Sequence, residues 1–324
     1  MDLRVTERTL ELREPLTTSY GTVERRLLFE VTLADGIGPD GCGEAAPLQA
    51  YDGVSDELVR AALHRYADAL TGLPDAAGPA VMEACREVAD VPQALAAVDL
   101  ALWDRAGKRA GKPVAALLSD DHLDEVRCNA LLTSLGQAQD AVDRGFDCLK
   151  VKVGLGDDAR TIAALRAALG QEVMLRLDAN GAWDVELAVR SIEALAPAGI
   201  ELVEEPVTGI DELRAVRERV TTRIAMDETT AMPGALASGA ADAVCLKISR
   251  AGSIAALLAQ ATLVRSTGAD VYLASSFDGP LGIAAAAHCA AALRCDLPCG
   301  LATLGAFDGF EPAGPSIAID GPGL

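Results

Sequence analysis

From residue 127 onward, short apolar runs alternate with amphipathic stretches. The runs are RCNALL, DCLKVKV, VMLRLDA, IELVEE, RIAMDE, AVCLKI and DVYLASS, followed by CGLAT. Each is short and rich in β-branched or branched residues, and each is separated from the next by a helical pattern. In DDARTIAALRAALG (157–170) Gly170 serves as a C-terminal cap, and in DVELAVRSIEALA (184–196) Asp184 serves as the N-cap. Strands that alternate with helices are parallel strands with crossover connections, and seven or eight such units close more readily into a barrel than into an open sheet. Upstream the texture differs. Residues 4–12 and 26–34 alternate like strands, with the polar segment EPLTTSYGTVE read as a loop between them. Three helices follow: one capped by Ser55 with Asp56 and Glu57 in its first turn, one near 79–89, and a longer one over 92–113, opened by Pro92 and ended by Gly111 and Pro113. The pattern therefore predicts an α/β protein. An α+β domain over residues 1–92 precedes a barrel over 93–304, and a tail from about 305 to 324 is expected to pack back on the first domain.

Composition narrows the function. Half of the 324 residues are apolar, and 48 acidic against 28 basic residues give a net charge of −20. Such a chain repels phosphate backbones, so no nucleic-acid partner is expected. The start MDLRVTERTLELRE is charged and alternating, unlike a signal peptide, and no apolar run approaches the roughly 20 residues that span a bilayer. Eight cysteines without a C-x-x-C pair fit reduced thiols in the cytoplasm. GIGPDGCG (36–43) contains a literal G-x-G-x-x-G, but Pro39 and further glycines stand where a nucleotide-binding helix would open, so it reads as a hairpin loop. The three histidines lie away from the strand ends and carry no assigned chemistry.

The run LKVKVG (149–154) places Lys150 and Lys152 on one face of a strand, with Leu149, Val151 and Val153 on the other. Two buried cations need a strongly negative neighbour. The following strands supply it: Asp178 ends LRLD, Glu204 ends ELVE, Asp227 ends IAMD, and Lys247 ends VCLK. The gaps from Lys152 to Asp178, Glu204, Asp227 and Lys247 are 26, 26, 23 and 20 residues, each about one strand–helix unit. A single acidic residue after a strand is usually a loop residue or a helix cap, and K-V-K alone could protect a sheet edge. The set at repeat spacing resists that reading and brings three carboxylates and three lysines to one mouth of the barrel.

Hard oxygen ligands from three strands suit Mg²⁺, with Mn²⁺ as a substitute. Lys150 and Lys152 stand on one side of such an ion and Lys247 on the other. A lysine among cations is expected to have a lowered pKa and to act as a base. This chemistry points to proton abstraction next to the carboxylate of a small substrate. A barrel that only binds a metal would need the carboxylates at most, and gives no reason for lysines on both sides.

The run K-V-K (150–152), D-A-N (178–180), E-E-P (204–206), D-E (227–228) and L-K (246–247), with GEAAPL (43–48) and LALWDRAGKRAGKPVAALL (100–118), resembles the enolase superfamily in its muconate-lactonizing subgroup. The resemblance covers essentially the whole chain. It implies a capping domain on a modified TIM barrel, (β/α)7β, with Mg²⁺ on Asp178, Glu204 and Asp227. It implies Lys152 and Lys247 as the acid/base pair, with Lys150 tuning Lys152. It also implies substrate contacts from loops near 17–22 and 47–53, naming Thr18 and Tyr20, together with Asn180. Within the subgroup, SSFDGPLGI and CGLAT resemble o-succinylbenzoate synthase, a dehydratase of menaquinone biosynthesis, with Ser275 and Ser276 placed to meet the succinyl carboxylate. The leading loop LTTSYGTVERR and EEP…MDETT resemble dipeptide epimerases instead, whose D-x-D after the last strand is missing from GLATLGAFDG. N-acylamino acid racemisation and cycloisomerisation are further alternatives on the same scaffold. Arg25 and Arg26 lie near the capping loop, where they either meet a distal carboxylate or face solvent. The oligomeric state, monomer or homo-oligomer, is open.

Overall fold

A computed structural model describes the whole chain except residues 19, 20, 72, 74–76 and 155 and the side chains of 17 and 18. The N-terminal part is a three-stranded antiparallel sheet of β1 (Asp2–Thr18), β2 (Gly21–Ala34) and β3 (Gly41–Ala45). It is followed by α1 (Gln49–Asp52), α2 (Asp56–Leu70), α3 (Gly78–Val88), α4 (Pro92–Ala110) and α5 (Val114–Leu118). Residues 14–18 and 21–24 of the segment read as a polar loop belong instead to the two long strands: Leu16 pairs with Val23 and Thr18 with Gly21, after an irregularity between Glu11 and Leu16. Polar residues hid these strand ends because the hairpin is exposed on most sides there.

Ser55 caps α2 by accepting from the backbone N–H of Leu58, a contribution of about 1 kcal/mol. Gly41 and Gly43 in β3 are needed for packing. A Cβ on either would strike the backbone of α4, at Ala101 O and Ala97 O respectively. The last two glycines of GIGPDGCG thus serve close helix–strand approach.

The second part is a seven-stranded parallel sheet in sequential order. Its strands are β5 (Ala130–Leu132), β6 (Cys148–Lys152), β7 (Met174–Asp178), β8 (Ile200–Glu204), β9 (Arg223–Met226), β10 (Ala243–Leu246) and β11 (Asp270–Leu273). A short β4 (Glu125–Arg127) precedes them. Helices α6 (Gln137–Asp143), α7 (Asp158–Leu169), α8 (Val185–Leu195), α9 (Ile210–Arg217), α10 (Ile248–Ala251), α11 (Ile254–Ser266) and α12 (Pro280–Leu293) lie between or after the strands. Asp157 and Asp184 cap α7 and α8 through the N–H groups of Arg160 and Leu187.

The eighth strand of the expected barrel is reduced to two residues. Cys299 bridges to Cys128 and Gly300 to Ala274, so this pair joins the two edges of the curled sheet. The tail divides its contacts. Phe307 packs with Leu10, Leu12, Leu16 and Leu28 of the N-terminal sheet, whereas β12 (Ser316–Ala318) pairs with β4. Helix α4 is buried along most of its length, and its residues enter both main cores: Leu100 the barrel's, and Ala94, Ala97, Val98 and Ala101 the N-terminal one. Among the described residues no helix is long and apolar enough to cross a membrane.

Candidate active site

Parallel pairing brings the charged strand ends together. Lys152 is the register partner of Asp178, and Asp178 of Glu204. Glu204 pairs with Ala225, which puts Asp227 two residues further on, just past the end of the next strand. β6 lies between β5 and β7, so K-V-K is not an edge device. Its apolar face, Leu149, Val151 and Val153, enters the barrel core.

On the lysine face, Lys150 Nζ lies 2.8 Å from Asp178 Oδ2 and donates to Glu204 Oε1 at 2.5 Å. Lys152 Nζ donates to Asp178 Oδ2 at 2.7 Å and to Asn180 Oδ1 at 2.5 Å. Lys247 donates to both carboxylate oxygens of Asp227 on the far side of the cluster. All six residues expected at the barrel mouth therefore meet, with cations on two sides of the carboxylates. Asp178 also performs the bland role that its position allows, since Asn180 N donates to its Oδ1 at 3.0 Å.

The electrostatics differ from the sequence expectation in one respect. Burial works against the ammonium forms of Lys150 and Lys247, yet neighbouring carboxylates outweigh it and both are raised, not lowered. Asp178 leads for Lys150 and Asp227 for Lys247. The expectation counted the lysines as neighbours of each other, whereas each sits closer to a carboxylate. Burial also pushes the carboxyls up. At Asp178 this is overcome by Lys150 and Lys152, and at Asp227 by Lys247 and Lys150, so both end below the usual range. At Glu204 burial prevails, helped by Asp178 and Asp227, and it stays raised.

Three residues were missed by sequence reasoning. Tyr51, in α1 of the N-terminal part, donates its hydroxyl to Asp227 Oδ1 at 2.7 Å and accepts from Lys247 and Arg250. Lys247 Nζ also stands 4.5 Å from the Tyr51 ring centre. Tyr272, on β11, donates to Glu204 Oε2 at 2.7 Å from full burial, and its ring is covered by the buried guanidinium of Arg176. Glu205 does not face solvent. It is fully buried and accepts from the backbone N–H groups of Asp227 and Thr229, which fixes the Asp227 turn. Burial, with Glu228 nearby, pushes its carboxyl up to about 8. An inward tyrosine in an apolar strand was the available signal for Tyr272, because a buried hydroxyl requires a partner.

The cluster opens into a cavity between the two parts of the chain. Leu16, Leu48, Tyr51 and Leu131 line it, with Asn129, Asn180, Ser275, Ser276, Phe277 and Thr303. Ser275 Oγ shares a hydrogen bond with Thr303 Oγ1. Ser276 is buried, and its hydroxyl has no hydrogen-bond partner among the described residues. Asn180 lines the cavity, although its carbonyl is already engaged by Lys152. Thr18 ends β1, and Tyr20 lies outside the described residues. Arg25 is exposed. Arg26 is buried and donates to Pro47 O at 2.6 Å, Ala46 O at 2.9 Å and Phe277 O at 3.3 Å, so it ties the two halves of the cavity rim together.

A curled parallel sheet with three acidic strand ends and lysines on both sides, under an N-terminal α+β cap, defines a class. The family described as "Enolase C-terminal domain-like" matches residues 134–303. The family described as "Mandelate racemase / muconate lactonizing enzyme, N-terminal domain" matches residues 1–119. The chain belongs to the enolase superfamily, in its mandelate racemase and muconate lactonizing enzyme group.

It is 32% identical to an L-Ala-D/L-Glu epimerase of Bacillus subtilis, over 97% of this chain and 92% of that protein. It is 37% identical to an o-succinylbenzoate synthase of Thermobifida fusca, over 56% of this chain and 60% of that protein. The crystal structure of a dipeptide epimerase from Enterococcus faecalis, complexed with Mg and the dipeptide L-Leu-L-Tyr, superposes with a TM-score of 0.90. That match has 29% identity and covers 99% of this chain and 97% of that one.

Proposed function

We propose that the chain catalyses Mg²⁺-dependent abstraction of the proton α to a carboxylate followed by loss of hydroxide, the reaction of an o-succinylbenzoate synthase. The wall of the cavity carries this choice. Beyond Asp178 and Asp227, the described residues lining it offer hydroxyls, amides, apolar surface and lysines, but no further carboxylate. Hydroxyl and amide donors suit a second carboxylate or a carbonyl on the substrate. A free ammonium group, as on a dipeptide, would have no anionic partner outside the candidate metal set. Asp308, the acidic residue after the last strand, is exposed and does not line the cavity.

Asp178, Glu204 and Asp227 would hold the Mg²⁺: they are hard oxygen donors from three adjacent strand ends, all buried, with Lys150 joining Asp178 to Glu204. When bound, the ion stabilises negative charge developing on the substrate carboxylate and offsets the field that raises Lys150 and Lys247. Lys152 stands beside Asp178 and Asn180, takes the α-proton and returns a proton to the departing hydroxide. Lys150 holds Asp178 and Glu204 in register. Lys247 remains cationic on the opposite side, held between Asp227 and the Tyr51 ring, and stabilises the anionic substrate by charge.

Epimerisation is the second reading, favoured by lysines on both sides of the carboxylates and by similarity to epimerases over nearly the full chain. Lys152 and Lys247 then exchange the roles of base and acid across the α-carbon. A spectrophotometric assay on the cyclohexadiene substrate of the synthase, run beside α-deuterium exchange into dipeptides and N-acylamino acids, separates the two. Diene loss that requires Mg²⁺ and Lys152 supports dehydration. Exchange into amino-acid derivatives without diene loss replaces it with epimerisation or racemisation.

A further inference from the structure

Side chains alternate along β10, so Cys245 and Lys247 share the inward face of the barrel, with the thiol one layer below the ammonium. Cys245 is 1% exposed. It is a free thiol and makes no hydrogen bond among the described residues. Its sulfur and one carboxylate oxygen from each of Glu204 and Asp227 all lie within 4.8 Å of one another. Around one tetrahedral ion, with bonds of about 2.1 Å to oxygen and 2.3 Å to sulfur, donors stand about 3.4–3.6 Å apart. Side-chain shifts of up to about an ångström therefore bring all three donors onto a single ion.

We propose that Glu204, Asp227 and Cys245 form an inner metal position that takes thiophilic divalent ions of the Zn²⁺ and Cd²⁺ class, beneath the all-oxygen position that includes Asp178. The proposal rests on the reading of Glu204 and Asp227 as metal ligands. Mg²⁺ gains nothing from sulfur and keeps to oxygen donors, whereas a softer ion is drawn inward by the thiolate. On binding, the metal–sulfur bond forms as the thiol proton passes to solvent, and Lys247 yields an oxygen of Asp227 to the ion. An ion held there is withdrawn from Asp178 and from the cavity where the substrate carboxylate would sit. Thiophilic ions thus occupy the centre in competition with Mg²⁺.

The test uses the purified full chain and CdCl₂, following the ultraviolet thiolate-to-cadmium charge-transfer band, which does not depend on turnover. Cys245→Ser is the comparison. It retains the other cysteines, including the neighbouring pair Cys295 and Cys299, as an internal control. The expected result is a saturable band in the unmodified chain that excess Mg²⁺ shifts to higher cadmium concentration. In Cys245→Ser this Mg²⁺-sensitive band is lost, while calorimetric Mg²⁺ affinity and melting temperature stay close to those of the unmodified chain. An equal band in both proteins overturns the proposal. Where calorimetry shows that the chain binds Mg²⁺, a band that excess Mg²⁺ leaves in place overturns it too, because the thiol and the carboxylates would then not share an ion. If the band depends on Cys245 but neither protein binds Mg²⁺, the inner position stands and the Mg²⁺ reading fails.

Discussion

Arg26→Met removes the side chain that joins the two walls of the cavity. Arg26 is 3% exposed, and its guanidinium serves the carbonyls of Ala46 and Pro47 on one side and Phe277 on the other. Methionine fills much of the volume but donates nothing, so two well-formed bonds and one longer one are lost in a dry site. Each buried carbonyl left without a donor costs about 1–3 kcal/mol. Asp278, whose carboxyl feels Arg26 as its main favourable charge, loses that partner as well. Removing one member of a buried charge cluster typically costs about 3–5 kcal/mol, which is the lower part of the roughly 3–9 kcal/mol that three such carbonyls sum to. For a chain of 324 residues the loss corresponds to a fall in melting temperature of roughly 4–8 °C. The residues that Arg26 fixes adjoin Leu48 and Tyr51 on one rim and Ser276 and Phe277 on the other. KM for the substrate should therefore rise more than kcat falls. Differential scanning calorimetry and steady-state kinetics measure both effects. A variant that melts within about a degree of the parent, with an unchanged KM, would refute the role given to Arg26.

Three further outcomes are expected of other buried groups. Burial, with Asp278 nearby, raises Glu44 to about 8 from an ordinary 4.5. The folded chain keeps this proton where the unfolded chain has lost it, so stability falls as pH rises from about 4.5 to about 8, by up to about 1.4 kcal/mol per unit. Glu44→Gln should flatten that slope in melting curves without abolishing it, because Glu205 titrates in the same sense; an unchanged slope counts against the assignment. Lys150→Met leaves Asp178 and Glu204 facing each other, so the variant should lose about 3–5 kcal/mol in EDTA. Excess Mg²⁺ should raise its melting temperature by more than it raises the parent's, and equal increments would place the ion elsewhere. Tyr272→Phe deprives Glu204 of its buried donor and should weaken calorimetric Mg²⁺ affinity by about tenfold or more, whereas unchanged affinity would leave Tyr272 with packing alone.

The charged centre was legible in the sequence because each member ends an apolar strand at repeat spacing, and parallel pairing turns that spacing into adjacency. Lys152, Asp178 and Glu204 are register partners for this reason. The groups that support the centre were not legible. Tyr51 reaches Asp227 across 176 residues of sequence, and no local periodicity records that distance. Glu205 follows Glu204 directly, and the strand end turns sharply there, at a φ of 40°, and buries both. The extended hairpin of β1 and β2 was obscured by polar residues on exposed strand ends, where alternation carries no hydrophobic signal. The eighth strand was expected at CGLAT, and it is there, but only Cys299 and Gly300 make sheet bridges. The lysine pKa expectation failed on a question of distance. Which charge is nearest to each ammonium is a three-dimensional fact.

The most direct test of the central claim is the Mg²⁺-dependent loss of diene absorbance, measured on the parent chain and on Lys152→Ala under identical conditions. The account predicts turnover by the parent that EDTA stops, and its loss in a variant that still folds and still binds Mg²⁺. Equal turnover in Lys152→Ala would contradict the assignment of the base, and no turnover by the parent would contradict dehydration as its reaction.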